Sequence, residues 1–123
     1  YCAHLDAVND DDFVACLDIG HAQMRGMNTS AVELIHALGG KLQALHIHDN
    51  DLWHDSHQLP GSMQIDFAPI LKALKQVGYR GYFTLEARKY LRAYTPQTAF
   101  AGIRALADSA RRLAVLYESE EQL

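Results

Sequence analysis

The sequence predicts an α/β fold of parallel strands alternating with helices: three βα units, the closing part of a larger eight-stranded β/α barrel. Three observations predict it. Short apolar runs recur at 13–18, 42–48 and 81–86, and each is followed by a polar loop and an amphipathic helix. No hairpin signal lies between them, so the strands run parallel and are joined by helical crossovers. Each run also ends in a carboxylate or an imidazole: Asp18, His48 and Glu86. Three strands cannot close a barrel, which takes about eight. Residues 1–123 are therefore read as one partial barrel domain, its C-terminal portion.

Residues 1–10 read as the end of a helix running into the acidic turn Asn9-Asp10-Asp11-Asp12. Phe13 to Asp18 follows as a near-continuous apolar strand, the pattern of a strand covered on both faces. Alternation puts Val14, Cys16 and Asp18 on one side and Phe13, Ala15 and Leu17 on the other. Ser30-Ala31-Val32-Glu33 is a capping box opening a helix with Ala31, Leu34, Ile35 and Leu38 on its buried stripe. Gly39-Gly40 stops that helix. Leu42 to His48 is the second strand, with Ala44, His46 and His48 turned to the barrel interior and Leu45 and Ile47 packed under helices. After a polar loop containing Pro60-Gly61, Asp66 caps a helix that buries Ile70, Leu71, Leu74 and Val77 and closes at Gly78. The third strand, Gly81 to Glu86, turns Tyr82, Thr84 and Glu86 inward. Thr95 and Pro96 open the last helix as N-cap and N1. Its stripe holds Phe100, Ile103, Leu106, Ala110, Leu113 and Tyr117, and its Glu-rich tail is expected to fray.

The 123 residues are 49% hydrophobic and 21% charged, ordinary for a globular domain. A formal charge of −4 weighs against nucleic acid as the main partner, because phosphate binding needs concentrated Lys and Arg. Cys2 and Cys16 have no metal-type spacing, and Cys16 is expected to be a buried thiol, which fits a reducing cytoplasm. No apolar stretch approaches a membrane span and no signal peptide opens the chain. Tyr1 stands where an initiator Met would, so the chain is expected to begin inside a longer protein.

Asp18, His48 and Glu86, each at the inward C-terminal end of a strand, can point at one divalent ion. Carboxylate oxygens and imidazole nitrogens suit a hard or borderline metal, and do not distinguish Mn, Mg, Co or Zn. An apolar strand ending in an inward Glu86 has no structural role without a partner charge or a metal. His46 is expected to be a hydrogen-bonded core residue rather than a ligand. His21, just past Gly20, faces a substrate oxygen or a second ion. Asp55 and His57, one residue apart in a polar loop, either hold a second ion or shape substrate access. His36 is expected at the surface. His4 and His54 have no supporting pattern.

These motifs resemble the C-terminal part of the sugar phosphate isomerase/epimerase family, the xylose isomerase-like TIM barrels that also include endonuclease IV. The resemblance spans nearly the whole chain. It rests on Cys16-Leu17-Asp18-Ile19-Gly20-His21, Leu45-His46-Ile47-His48-Asp49-Asn50-Asp51, His57-Gln58-Leu59-Pro60-Gly61, Ile65-Asp66-Phe67, Gly78-Tyr79-Arg80-Gly81 and Thr84-Leu85-Glu86. It implies one metal held by two Glu, one Asp and one His. Asp18, His48 and Glu86 match three of these, and the fourth, a Glu, is expected upstream of Tyr1. It also implies proton transfer between two glutamates through an enediolate-like intermediate, with Glu86 as one catalytic group and His21 touching the substrate. The substrate class is a small sugar or sugar phosphate. Met63 stands where the family commonly has a second Gly after Pro60-Gly61, so the shape of this loop departs from the pattern.

Two alternatives accompany that reading. The endonuclease IV pattern of three zinc ions can be matched by Asp18, His21, His48, Asp55, His57 and Glu86, although the acidic charge and the lack of basic residues near these loops oppose it. A metal-binding fragment without catalysis is the other. Alone, the chain is expected to be an incomplete isomerase. Its open sheet would expose two edges and an inner face including Val14, Cys16 and Ala44, to be covered by the rest of the barrel or by self-association.

Overall fold

The computed structural model of the chain describes residues 2–119. Helix α1 (Cys2–Val8) leads to strand β1 (Ala15–Asp18), whose last residue caps the single-turn helix α2 (Ile19–Ala22). Helix α3 (Ala31–Leu38), strand β2 (Leu42–Ile47), helix α4 (Ala68–Gln76), strand β3 (Phe83–Leu85) and helix α5 (Ala99–Ser119) complete the order. The sheet is β1-β2-β3 and wholly parallel. Strands alternate with helices as the apolar runs predict.

The helices form where local chemistry favours them. At α3 the capping box is complete: Glu33 N–H donates to Ser30 Oγ at 3.3 Å, and Ser30 N–H donates to Glu33 Oε2 at 2.8 Å. Gly39 ends the helix at φ +50°, a conformation open to glycine. Ala31, Ile35 and Leu38 of α3 and Ile70, Leu71 and Leu74 of α4 are buried against Ala15, Leu17, Leu45 and Ile47 of the sheet. This outer layer is the hydrophobic core. Asp66 Oδ1 accepts from Ala68 N–H at 3.0 Å, but the N-cap position of α4 falls on Phe67, one residue later than expected.

The opposite face of the sheet is uncovered. Cys16 is exposed on it, correcting the expectation of a buried thiol. Ala44 and Val14 are exposed beside it. The physical reason is architectural: two layers of helix and sheet bury one face, and only further strands curling round would bury the other. The terminal strands are also shorter than the apolar runs. Phe13 and Val14 precede β1, and Tyr82, 87% exposed, precedes β3.

Helix α5 differs most from expectation. Thr95 N–H donates to Thr98 Oγ1 at 2.9 Å in a turn, and the helix begins only at Ala99. Phe100, 82% exposed, and Ile103 lie off the packed stripe. The helix is anchored by its later residues instead. Leu113 enters the core, Ser109 Oγ donates to the Pro60 carbonyl at 3.2 Å, and Tyr117 Oη donates to the Tyr79 carbonyl at 2.7 Å. The fraying expected of the tail beyond Ser119 falls outside the described residues. Among the described residues no helix is long and apolar enough to cross a membrane.

Candidate metal centre

Register places the chemistry. Asp18 of β1 pairs with His46 of β2, and His46 with Thr84 of β3. Glu86 N–H, just past β3, donates to the Ile47 carbonyl at 2.8 Å and extends the ladder by one step. Side chains alternate across a strand, so Asp18 and His46 emerge on the open inner face at one level, and Glu86 emerges on the same face two residues beyond Thr84. Ligand atoms from these three lie within 4.8 Å of one another. His46 Nδ1 is 3.5 Å from Glu86 Oε2, and its side chain is 48% exposed. Two carboxylates and one accessible imidazole suit a divalent cation of hard or borderline character.

A second group stands directly behind. His21, His48, Asp55 and His57 also bring ligand atoms within 4.8 Å of one another. Asp55 Oδ1 is 2.9 Å from His57 Nε2 and 3.0 Å from His21 Nε2. Asp18 joins the two groups: its Oδ2 is 3.1 Å from His21 Nδ1, and its Oδ1 is 3.2 Å from His48 Nε2. The His57 ring is fixed by Nδ1, which donates to the Glu86 carbonyl at 2.7 Å and leaves Nε2 facing Asp55. Metal-binding histidines are commonly oriented by such a bond from the other ring nitrogen to a backbone carbonyl.

His48 is fully buried, stacked on His57 with ring centroids 4.0 Å apart and a 15° tilt. Despite its closeness to Asp18, neither ring nitrogen is aligned for a hydrogen bond. A buried polar group left in this state is costly unless a ligand or charge satisfies it. Gly20 makes the position possible, because a Cβ there would fall on the His48 ring. The Gly20→Ala variant should therefore lose about 1–3 kcal/mol of stability through overpacking. Thermal unfolding of the two forms measures this, and an unchanged melting temperature would count against the tight packing described.

The loop that delivers Asp55 and His57 is organised by Asp49-Asn50-Asp51. Asp49 is fully buried. Its Oδ1 accepts from the Asn50 and Ile65 amides at 2.8 and 3.0 Å, and its Oδ2 from the Gly61 and Met63 amides, both at 2.9 Å. Asn50 Nδ2 donates to the Gly20 carbonyl at 2.8 Å, tying the loops after β1 and β2 together. Asp51 accepts from the amides of Trp53 and His54 and from His54 Nδ1 at 2.7 Å, which hold its carboxyl at about 2. Met63, where the loop departs from the expected pattern, contributes its amide to the Asp49 cage.

Burial acts to raise the Asp18 carboxyl, but the adjoining His48 imidazole, the His21 amide and the charges of both rings outweigh it and hold the group at about 2. Burial acts to lower His48, yet Asp18 and Asp55 pull it above its ordinary value. Asp55 is lowered: burial opposes ionisation, and His57, His21 and Lys89 together prevail. The site thus holds ionised carboxylates ready for a cation.

The sequence-predicted trio Asp18, His48 and Glu86 is distributed differently in the structure. His46 stands with Asp18 and Glu86, and His48 lies behind with His21, Asp55 and His57. The correction follows from strand length. β2 ends at Ile47, so His48 has left the ladder and turned beneath Gly20, whereas His46 is level with Asp18. The expectation that His46 is a core residue fails for the same reason, because the face it occupies is the open one. The register was the missing signal, and the caged carboxylate of Asp49 and the contact of Lys89 with Asp55 likewise depend on distant segments. His36 is exposed and 2.9 Å from Gln76 Oε1, at the surface as expected.

A family model for xylose isomerase-like TIM barrels matches residues 3–113. The chain belongs to the xylose isomerase-like TIM barrel family. Its parallel three-stranded sheet with alternating helices is part of such a barrel. Among curated relatives, an uncharacterized protein of Methanocaldococcus jannaschii is 36% identical over 69 residues, 56% of this chain and 24% of the relative. An uncharacterized protein of Sinorhizobium fredii is 34% identical over 79 residues, 63% of this chain and 25% of the relative. The similarity thus spans about a quarter of the length of each relative. In barrels of this class the C-terminal strand ends carry the chemistry, which is where both residue groups lie.

Proposed function

We propose that this member of the xylose isomerase-like TIM barrel family supplies the metal-binding and proton-transfer residues of a sugar or sugar-phosphate isomerase or epimerase. The observation that carries the reading is the convergence of Asp18, His46 and Glu86 on the open face of three adjacent strand tips. These three would hold one divalent ion. When bound, the ion would stabilise negative charge building on a substrate oxygen. Glu86, partly exposed on that face, serves as the base that removes and returns a proton beside the substrate carbonyl. His21 is held between Asp18 and Asp55 and presents its ring to the substrate side of the site.

The uncovered inner face and unpaired outer edges fit three strands of a barrel that other strands complete. Rest-of-barrel pairing is accordingly the partner contact proposed for this surface, with a sugar as the small-molecule partner. The test uses the whole protein, stripped by chelation and assayed on ketoses with and without phosphate in deuterated water. Activity should vanish with the metal and return with one equivalent, and deuterium should enter the carbon next to the carbonyl. Turnover indifferent to chelation, or product free of deuterium, would refute the proposal.

The group His21–His48–Asp55–His57 favours a second reading, a multi-metal phosphodiesterase of the endonuclease IV kind. Cleavage of an abasic-site duplex with three ions bound would select it. The formal charge of −4 argues against that substrate.

A further inference from the structure

We propose that the ammonium group of Lys89 takes the place of a second metal ion in the His21–His48–Asp55–His57 group, so that the centre works with a single divalent cation. The inference rests on the reading of Asp18, His46 and Glu86 as the site of that cation. Lys89 follows Glu86 by three residues and reaches over the loop after β2. Its Nζ donates to the Asp55 carbonyl and lies 3.6 Å from Asp55 Oδ2. The other carboxylate oxygen, Oδ1, is shared by His57 and His21.

The charges of the two groups differ in a way that decides which takes the ion. Asp18 and Glu86 bring two carboxylates to theirs, and their ion pairs among the described residues are with imidazoles rather than with a Lys or Arg. The group behind has Asp55 as its own carboxylate, with Asp18 shared between the two groups, and the Lys89 ammonium already faces Asp55. Imidazoles supply no net charge to offset a divalent ion. An ion there would have Asp55 as its own carboxylate, would share Asp18 with the ion of the first group, and would be repelled by that ion and by the ammonium group close by. Lys89 thereby holds Asp55 in place to orient His21 and His57 without a resident metal. Asp55 and His57 then act on the substrate side of the site as orienting groups.

Calorimetric titration with zinc chloride, and separately with manganese chloride, tests this on the whole protein and its Lys89→Met variant. The unaltered protein should bind one ion tightly and a second at least about tenfold more weakly. Lys89→Met should tighten the second step at least about tenfold and leave the first within about threefold. Lys89→Arg, which keeps the charge, should behave as the unaltered protein. Lys89→Gln gives a neutral variant with a retained hydrogen-bond donor should Lys89→Met fail to fold, and it too should tighten the second step. Two equally tight ions in the unaltered protein, or a second step indifferent to both neutral variants, would overturn the inference. Absence of any tight ion would instead overturn the underlying metal reading, so the two failures are distinguishable.

Discussion

Glu86→Gln should reduce turnover of the whole protein by at least about a hundredfold, the usual scale for a general acid–base group. Glutamine has the same shape and can still offer an oxygen to a cation, but it cannot accept the substrate proton. The Glu86 backbone stays in the ladder through Ile47, and its carbonyl still accepts from His57, so the fold should persist. Metal affinity should fall, because one of the two carboxylates facing the ion becomes neutral. Isotope exchange at the substrate carbon measures the proton step apart from binding. Exchange at the unaltered rate with metal still bound would remove Glu86 from the catalytic role.

The second large effect is expected at Asp49, buried in the interior just past β2. Its carboxylate gathers four backbone amides of the loop in the interior. Asp49→Ala leaves those donors without a partner and should cost about 3 kcal/mol or more. In a chain of this size that corresponds to a fall of about 10 °C in melting temperature. Because the same loop carries Asp55 and His57, the variant should also loosen the second residue group. Asp49→Asn keeps one acceptor oxygen and should fall between the two. Thermal unfolding of the three forms orders them, and a melting temperature unchanged in Asp49→Ala would contradict the assigned role.

Much of this architecture was legible from local chemistry. The Ser30–Glu33 capping box, the glycines after α3 and α4, and the alternation of Leu45 and Ile47 against Ala44 and His46 are short-range signals, and each survives in the fold. What was not legible depends on long-range geometry. Strand register sets His46 opposite Asp18, and two residues of one apolar-and-histidine run cannot be told apart without it. Both histidines point inward by alternation, but the ladder ends between them, and only the one within it keeps that direction. Cys16 was misplaced because an apolar run does not say whether both of its faces will be covered. The stripe on α5 failed for a related reason: spacing does not say which face packs, and the buried face runs through Gly102, Ser109 and Leu113 rather than Phe100 and Ile103.

Asp49 shows a different limit. In sequence it is one of two acidic residues in Asp49-Asn50-Asp51, and nothing local marks it as the buried one. Its role appears only when residues 61 to 65 return to it. Lys89 is similar, since its partner Asp55 lies 34 positions away. Polar residues that organise loops draw their partners from distant segments, so spacing rules built on helices and strands do not find them.

The central claim is that one divalent cation sits among Asp18, His46 and Glu86. Crystals of the whole protein grown with manganese, measured for anomalous scattering, test it most directly. The account predicts one strong peak within coordination distance of a carboxylate oxygen of Asp18, an imidazole nitrogen of His46 and a carboxylate oxygen of Glu86. A peak held instead by His21, Asp55 and His57, with nothing between the three strand tips, would contradict it.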